Sequence, residues 1–381
     1  MTPELQQHLI GRALAHLAAG TSDLAPDEVT GSVDAYLSAE RFAREQQALF
    51  RNQPLALGPR ALVPQSGDFL TTNDHRFPLL VTRGPDGGLH AMLNACTHRG
   101  ARLVSESGGS RRQAFVCPYH GWTYGHDGQL RHATHPECFP GLDRSVQGLV
   151  TLPVQEQAGL IWVQRNPTPA DDLRAFLGGL APDLTALSLD THVPGPGYER
   201  VVAANWKLVV DSFLEDYHIP FVHNETVSQV VTGKVMVWDA FGRHQRLVQP
   251  GPGLQALAAV PPRRWRLRPV AAICYFVFPN TALFVNADHV VWFRVDPLDV
   301  GSTRVRWTLL IPETAQSEAL AAHWERHRRL GVAGLEEDLG AVERVQAGLQ
   351  AGLLLQVRRG RNEVAVQAFH ATIDSVPGMT P

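Results

Sequence analysis

Hydrophobic and polar positions divide the 381-residue chain into stretches of different texture. Over residues 1–50, apolar side chains recur at helical spacing in LQQHLIGRALAHLAA. After the break TSDLAPDEV they do so again in AYLSAERFAREQQALF, which predicts two helical segments. From about 55 to 165 the pattern shortens to alternating runs parted by turn residues. FPLLVTR-GPDG-GLHAMLNA, FVCPYHGWTY-GHDG-QLRHA and GLVTLPVQEQAGLIWVQRN each read as a hairpin, which predicts a small antiparallel β domain. RNPTPADD forms a polar boundary. A helical pattern at 170–190, a Pro/Gly linker VPGPG and the helical opening of NWKLVVDSFLEDYHIPFVH follow. Strands return from 271 to 311 as AAICYFVF, ALFVNA, HVVWFRVDP and TRVRWTLLIP, suited to an antiparallel meander. Residues 313–355 predict a long helix interrupted near Gly331 and Gly334. The expected organisation is α+β: a helical segment over 1–54, a β module over 55–166 and a larger mixed domain over 167–381.

Composition narrows the class without naming a chemistry. Hydrophobic residues make up 44% and charged residues 19%, and the formal charge is −3, with basic residues scattered. Nothing in this balance points to nucleic acid or to a membrane surface. LIGRALAHLAAG follows Glu4 and contains Arg12 and His16, so it reads as an amphipathic helix and not a targeting signal. No apolar run approaches the ~18 residues of a membrane span. Four cysteines make no disulfide framework, and a cytoplasmic location is expected.

Two of those cysteines lie in CTHRGARLVSESGGSRRQAFVCPYHGW, where Cys96, His98, Cys117 and His120 form C-x-H-x18-C-x2-H. Two thiolates and two imidazoles suit tetrahedral zinc or an iron–sulfur centre. Zinc fingers pair Cys with Cys and His with His; here each loop supplies one of each. That order fits a two-iron cluster with both cysteines on one iron and both histidines on the other, the Rieske arrangement. Gly100 and Gly121 allow close backbone approach, and Pro118, Tyr119 and Trp122 are expected to shield the site. Zinc, and two unrelated Cys–His pairs, are the alternatives.

A second group lies in NWKLVVDSFLEDYHIPFVH, which holds Asp211, Glu215, Asp216, His218 and His223. Trp206, Val209, Val210 and Phe213 form an apolar stripe. Residues five apart on an unbroken helix lie ~140° apart around the axis, too far to share a metal. Pro220 breaks the helix between the histidines, and an unwound turn brings both imidazoles to one point. A ferrous oxygenase site needs two histidines and one carboxylate. Asp338 in GLEEDLGAVERVQAGL is the first candidate for the carboxylate, with Glu336 and Glu337 as competitors. Glu215, one turn before His218, is placed to hydrogen-bond that ligand's other ring nitrogen. Asp211 and Asp216 are read as doing similar work or as solvated.

With both groups read, the chain resembles the catalytic α subunit of the Rieske non-haem iron, ring-hydroxylating oxygenases over roughly residues 45–375. The resemblance rests on C-T-H-R-G-A, C-P-Y-H-G-W, N-W-K, E-D-Y-H-I-P-F-V-H, F-P-N-T and E-D-L-x-x-V-E-x-V-Q, in the family's order. It implies a Rieske domain ahead of a helix-grip catalytic domain, an antiparallel sheet wrapped around a long helix. It implies that Cys96, His98, Cys117 and His120 hold a [2Fe-2S] cluster. His218, His223 and Asp338 would hold one Fe(II), with dioxygen as co-substrate. Glu215 matches the family's carboxylate bridging a cluster histidine of one subunit to an iron histidine of the next, in what is commonly a homotrimer. A separate reductase or ferredoxin would supply electrons, since no flavin or nicotinamide motif is present.

Two features depart from the commoner pattern. The 18-residue gap between His98 and Cys117 is long, so SESGGSRRQ is expected to protrude. Glutamate at the bridging position resembles the members that act on choline, glycine betaine or carnitine. The expectation places hydroxylation of a small aromatic substrate first, with oxidative N-demethylation or hydroxylation of a quaternary ammonium compound as the alternative. A Rieske electron carrier and a zinc-stabilised binding protein come last. Tyr275, Phe276, Phe278, Phe284, Trp292, Phe293 and Trp307 are read mainly as core packing, with a pocket or cation–π cage as their other use.

Overall fold

The computed structural model describes residues 1–72, 77–110, 112–168, 172–233 and 235–379. The chain forms two compact units, Phe50–Phe176 and, discontinuously, Met1–Leu49 with Leu177–Pro381. The N-terminal segment therefore belongs to the same unit as the C-terminal half.

In Phe50–Phe176 a five-stranded antiparallel sheet runs in the order Thr151–Leu152, Leu89–Leu93, Leu79–Arg83, Phe69–Thr72, Gly108–Gly109. The first hairpin forms as its alternation dictates, with Leu79 opposite Leu93 and Arg83 opposite Leu89 across the Gly84–Gly88 turn. Thr123–Tyr124 pairs with Phe115–Val116 on one side and Leu130–His132 on the other. SESGGSRRQ is exposed over 105–110, yet it is not loose. Gly109 pairs with Phe69, and a Cβ on Gly109 would come within 2.7 Å of the Phe69 ring. Arg111, and residues 169–171 of the RNPTPADD boundary, lie outside the described residues.

The larger unit is built on a seven-stranded antiparallel sheet. Its order is His192–Val202, Ser302–Pro312, Val290–Asp299, Thr281–Val285, Ala271–Val277, His244–Pro250, Val237–Phe241. The segment VPGPG, read as a linker, is instead the start of an eleven-residue edge strand. An edge tolerates prolines because one side of the strand needs no ladder donors, and the register slips between Pro194 and Gly197. Over 172–190 the described residues form a series of short helical turns, Leu173–Leu177, Gly178–Leu180 and Ala181–Thr185, with a further turn at Leu189–Thr191.

A second correction concerns the long helix, Ala321–Gln350, which runs unbroken through Gly331 and Gly334. A Cβ at Gly331 would stand 2.7 Å from the Trp307 ring, and one at Gly334 would stand 3.1 Å from Val227. These glycines are places where the helix meets its neighbours closely, not breaks.

The N-terminal segment holds the helix Pro3–Ala19 and a strand that its turn-rich sequence conceals, Val29–Ser32, paired with Gln356–Arg359. Its strongest tie is ionic. Glu45 is wholly buried and accepts from Lys207 Nζ at 2.7 Å, Trp206 Nε1 at 2.8 Å and Arg41 Nε at 3.2 Å. Lys207 is 1% exposed, on the helix that leads to the two histidines. Removing one member strands the other charge out of water, which costs about 3–5 kcal/mol. Glu45→Ala is therefore expected to lower stability by about that amount in denaturant unfolding. Glu45→Ala combined with Lys207→Met should recover most of the loss.

Candidate functional site

The helix Trp206–Phe213 is capped by Asn205, whose side-chain oxygen accepts from the Lys207 amide at 3.0 Å, and it ends at Phe213. Its apolar stripe, Trp206, Val209, Val210 and Phe213, is buried. Unwound chain follows, then a single turn, Ile219–Val222, with His218 before it, His223 after it and Pro220 inside its first turn. Proline is accommodated there because a first-turn amide needs no intrahelical acceptor. This break brings the two imidazole centroids to 5.0 Å of each other.

Asp338, on the long helix, completes the group. Its Oδ1 lies 2.9 Å from His223 Nε2 and 3.3 Å from His218 Nε2, and one donor atom from each of the three residues falls within a 4.8 Å cluster. Of the competing carboxylates, Glu336 accepts from Tyr198 Oη and Arg200 Nη1, each at 2.5 Å. Glu337 sits behind the site, 2.6 Å from His223 Nδ1, and accepts from Thr226 Oγ1. Glu215 does the equivalent work on the other side: Oε1 meets His218 Nδ1, and Oε2 accepts the His218 amide at 3.1 Å. Each imidazole is thus held through Nδ1 by a carboxylate and turns Nε2 toward Asp338.

The electrostatics are those of a cation site. Burial alone disfavours protonated His218, but Asp338 and Glu215 outweigh it and lift the imidazolium to about 10. His223 is raised in the same sense, burial opposing and Asp338 and Glu337 prevailing. Burial pushes Asp338 up, but the two imidazoles hold it below the ordinary carboxylate range. Two imidazole nitrogens and one carboxylate oxygen are the donor set of a ferrous site with open positions.

Asp211 and Asp216 take no part in this cluster. Asp211 accepts from Tyr36 Oη at 2.7 Å and lies 2.9 Å from His370 Nε2, tying the helix to the N-terminal segment and the last helix. Asp216 is buried, its Oδ2 meets no hydrogen-bond partner among the described residues, and burial raises it to about 6.

In the smaller unit the two Cys/His loops repeat one hydrogen-bond pattern. The Cys96 amide donates to Ala101 O at 2.8 Å and Gly100 N to Cys96 O at 2.7 Å; Cys117 donates to Trp122 O at 2.7 Å and Gly121 N to Cys117 O at 3.0 Å. Gly100 and Gly121 both adopt left-handed backbone, φ +77° and +74°, which lets each loop close on itself. Both thiols are buried in an apolar cluster, and burial pushes the Cys96 thiol up, so a metal is needed to keep it as thiolate. The imidazole centroids of His98 and His120 lie 4.6 Å apart. Their Nδ1 atoms are buried and meet no hydrogen-bond partner among the described residues, which fits nitrogens reserved for a metal. Trp122 is buried and stacks on His98, as a shield would. Tyr119, although 60% exposed, stacks on His120 with ring centroids 3.8 Å apart, whereas Pro118 is exposed.

A cavity of about 430 Å³ opens on His218, His223 and Asp338. Among the expected aromatic residues, Phe284, Phe293 and Trp307 line it, while Phe276 and Phe278 pack on Phe369 in the core. Sequence reasoning missed Phe213, whose place on an apolar stripe disguised it, and Arg268; both line the cavity.

Comparison with known proteins matches two family models in order. A Rieske [2Fe-2S] domain matches residues 56–152, and the catalytic domain of a ring-hydroxylating α subunit matches residues 188–377. The glycine betaine monooxygenase oxygenase subunit of Chromohalobacter salexigens is 28% identical over 349 residues, 81% of this chain and 77% of the relative. The anthranilate 1,2-dioxygenase large subunit of Acinetobacter baylyi is 32% identical over 204 residues, 52% of this chain but only 43% of the relative. The structure of the quaternary ammonium Rieske monooxygenase CntA with L-carnitine superposes with a TM-score of 0.77 at 22% identity, covering 92% of this chain and 96% of that one. At that identity it shows the shared fold.

Ion binding at His218, His223 and Asp338 must displace protons, one from His218 and a further share from His223, so ferrous affinity of the iron-free protein is expected to rise at least about tenfold per pH unit between about pH 6 and 8. The sign for stability is opposite. His218 is raised above its unfolded value, so its contribution is full below about pH 6.5 and fades as pH rises toward 10. Iron titration and thermal unfolding across this range check both. His218→Ala and Asp338→Ala should lose the mononuclear iron and keep the cluster's absorption, whereas Cys117→Ala should lose that absorption.

Proposed function

The chain belongs to the family of Rieske-type ring-hydroxylating oxygenase α subunits, and on that premise we propose that it is the oxygenase component of a quaternary ammonium monooxygenase. Cys96, His98, Cys117 and His120 hold the [2Fe-2S] cluster, and His218, His223 and Asp338 hold the iron. Bound there, the cluster supplies single electrons and the iron the chemistry of dioxygen activation.

The observation that carries the substrate class is the cavity over the second group, with four aromatic side chains in its walls: Phe213, Phe284, Phe293 and Trp307. About 430 Å³ suits a small molecule, and aromatic faces attract an alkylammonium by cation–π contact without a charged partner. Phe213, Phe293 and Trp307 are largely buried, while Phe284 is partly exposed and offers its surface to an occupant. The same walls would accept a neutral aromatic ring, the substrate that the sequence reading placed first. The relative aligned over most of both chains is a glycine betaine monooxygenase, and this shifts the reading to a cation. Glu215 at the bridging position agrees with that branch.

The chain's own residues position and exclude. Glu215 and Glu337 fix the two imidazole rings, and the largely apolar walls leave room for a small molecule beside them. Glu215 also serves as the bridge to a neighbouring subunit in a homotrimer, with a separate reductase or ferredoxin as donor. Free cysteines and the absence, among the described residues, of any helix long and apolar enough to cross a membrane are compatible with the cytoplasm, where we place it.

Peroxide-driven turnover of a panel holding glycine betaine, choline, carnitine, benzoate and anthranilate tests the substrate class. Release of formaldehyde or trimethylamine is expected, with little ring oxidation; ring hydroxylation alone would reverse the assignment. Phe284→Leu keeps bulk but removes the π face. It should raise KM for the cation about tenfold, and much less for inhibition by a neutral tert-butyl analogue.

A further inference from the structure

Beyond the two groups above, the larger unit contains a third gathering of metal-competent side chains. Asp288 and His289 lie in the turn after the strand Thr281–Val285, closed by the Asn286 amide donating to His289 O at 3.0 Å. Arg268 fixes this turn, donating from Nε to Asn286 O at 2.7 Å and from Nη2 to His289 O at 3.4 Å. Facing it, the first turns of the long helix carry His323 and His327 in the run HWERH. Histidines four apart share one helix face, the spacing by which helical metal sites present two imidazoles together.

The four side chains meet. Asp288, His289 and His327 each offer a donor atom within a 4.8 Å cluster. Asp288 Oδ1 lies 2.7 Å from His289 Nδ1, and Oδ2 lies 2.8 Å from His323 Nε2. The ring centroids of His327 stand 4.6 Å from His289 and 4.4 Å from His323. His327 makes no hydrogen bond among the described residues, although it is only half-exposed and surrounded by polar rings. Its two nitrogens are therefore left free of protein partners among those residues, beside Asp288 and His289, with which it shares the cluster. We infer that Asp288, His289 and His327 form a second divalent-metal site, for a zinc-class cation, with His323 orienting the Asp288 carboxylate.

The donor set is two imidazoles and one carboxylate, which zinc accepts with a further position open. None of these residues belongs to the His218–His223–Asp338 group, so the two sites are chemically separable. The ion joins a turn of the sheet to the long helix that carries Asp338. Because Asp288, His289 and His327 line the same cavity, it also fixes part of the cavity wall.

The test is zinc content. Protein carrying its cluster and iron is incubated with zinc chloride, desalted and measured by plasma mass spectrometry, expecting about one tightly held zinc per chain. His289→Ala and His327→Ala should lose that zinc while keeping the mononuclear iron, which reports that this unit has folded. His323→Ala should weaken it about tenfold, as loss of an orienting partner does. His218→Ala should keep the zinc. Zinc raises the melting temperature of the native protein and not of His327→Ala. Should His289→Ala or His327→Ala lose the iron as well, Asp288→Asn at its exposed position decides: zinc lost with iron retained upholds the site. Zinc retained at the native level in Asp288→Asn, or zinc that disappears with His218→Ala, overturns it.

Discussion

One oxygen of Asp338 stands 2.9 Å from His223 Nε2 and 3.3 Å from His218 Nε2, and much of the larger unit exists to keep it there. A carboxylate taken out of water needs compensating positive charge. Two imidazoles provide it here, each held by a further carboxylate on its far nitrogen. The arrangement fails unless residues 218 and 223 face one point, which a continuous helix forbids. Hence the helix Trp206–Phe213 stops short, and a one-turn helix re-aims the chain. Hence also the long helix must run straight past both. Its Gly331 and Gly334 let it approach Trp307 and Val227 closely enough for Asp338 to reach.

The two proposed metal groups solve opposite electrostatic problems. At His98 and His120 the buried Nδ1 atoms meet no hydrogen-bond partner among the described residues, and the thiols sit in apolar surroundings. Neutral imidazoles opposite thiolates suit a centre that gains and loses an electron. At His218 and His223, three carboxylates surround two imidazoles, so the site is acidic and accumulates a fixed positive charge. One fold carries both because they lie in separate compact units, each with its own apolar core.

Legibility followed the range of the interactions. Hairpins closed by GPDG and GHDG, the apolar stripe of the helix at Trp206–Phe213, and the repeated Cys/His loops were readable because turn chemistry and periodicity are local. So was the pairing of Glu215 with His218, three residues apart. VPGPG misled because proline and glycine mark an edge strand as readily as a linker, and only the partner strand Ser302–Pro312 decides between them. The strand Val29–Ser32 was invisible for the same reason, since its partner lies more than 300 residues away. Choosing among Glu336, Glu337 and Asp338 also needed the third dimension. Consecutive helix positions point about 100° apart, so one faces Arg200, the next the back of His223, and the third the gap between the histidines.

The cavity shows why substrate class resists sequence reasoning even when the reaction family does not. Phe284 and Phe276 sit on neighbouring antiparallel strands and look alike in the pattern, yet one lines the cavity and the other packs on Phe369. Aromatic walls alone do not separate a ring from an alkylammonium, because both pack well on a π face. What separates them is desolvation: a cation entering such a cavity gives up hydration that only the ring quadrupoles and nearby charge restore. At the proposed metal end three carboxylates are offset by two imidazoles and the ion they would hold, and Arg268 stands in the same wall. The cationic substrate proposed here would therefore draw most of that compensation from the π faces of Phe213, Phe284, Phe293 and Trp307, whereas a neutral arene would need none.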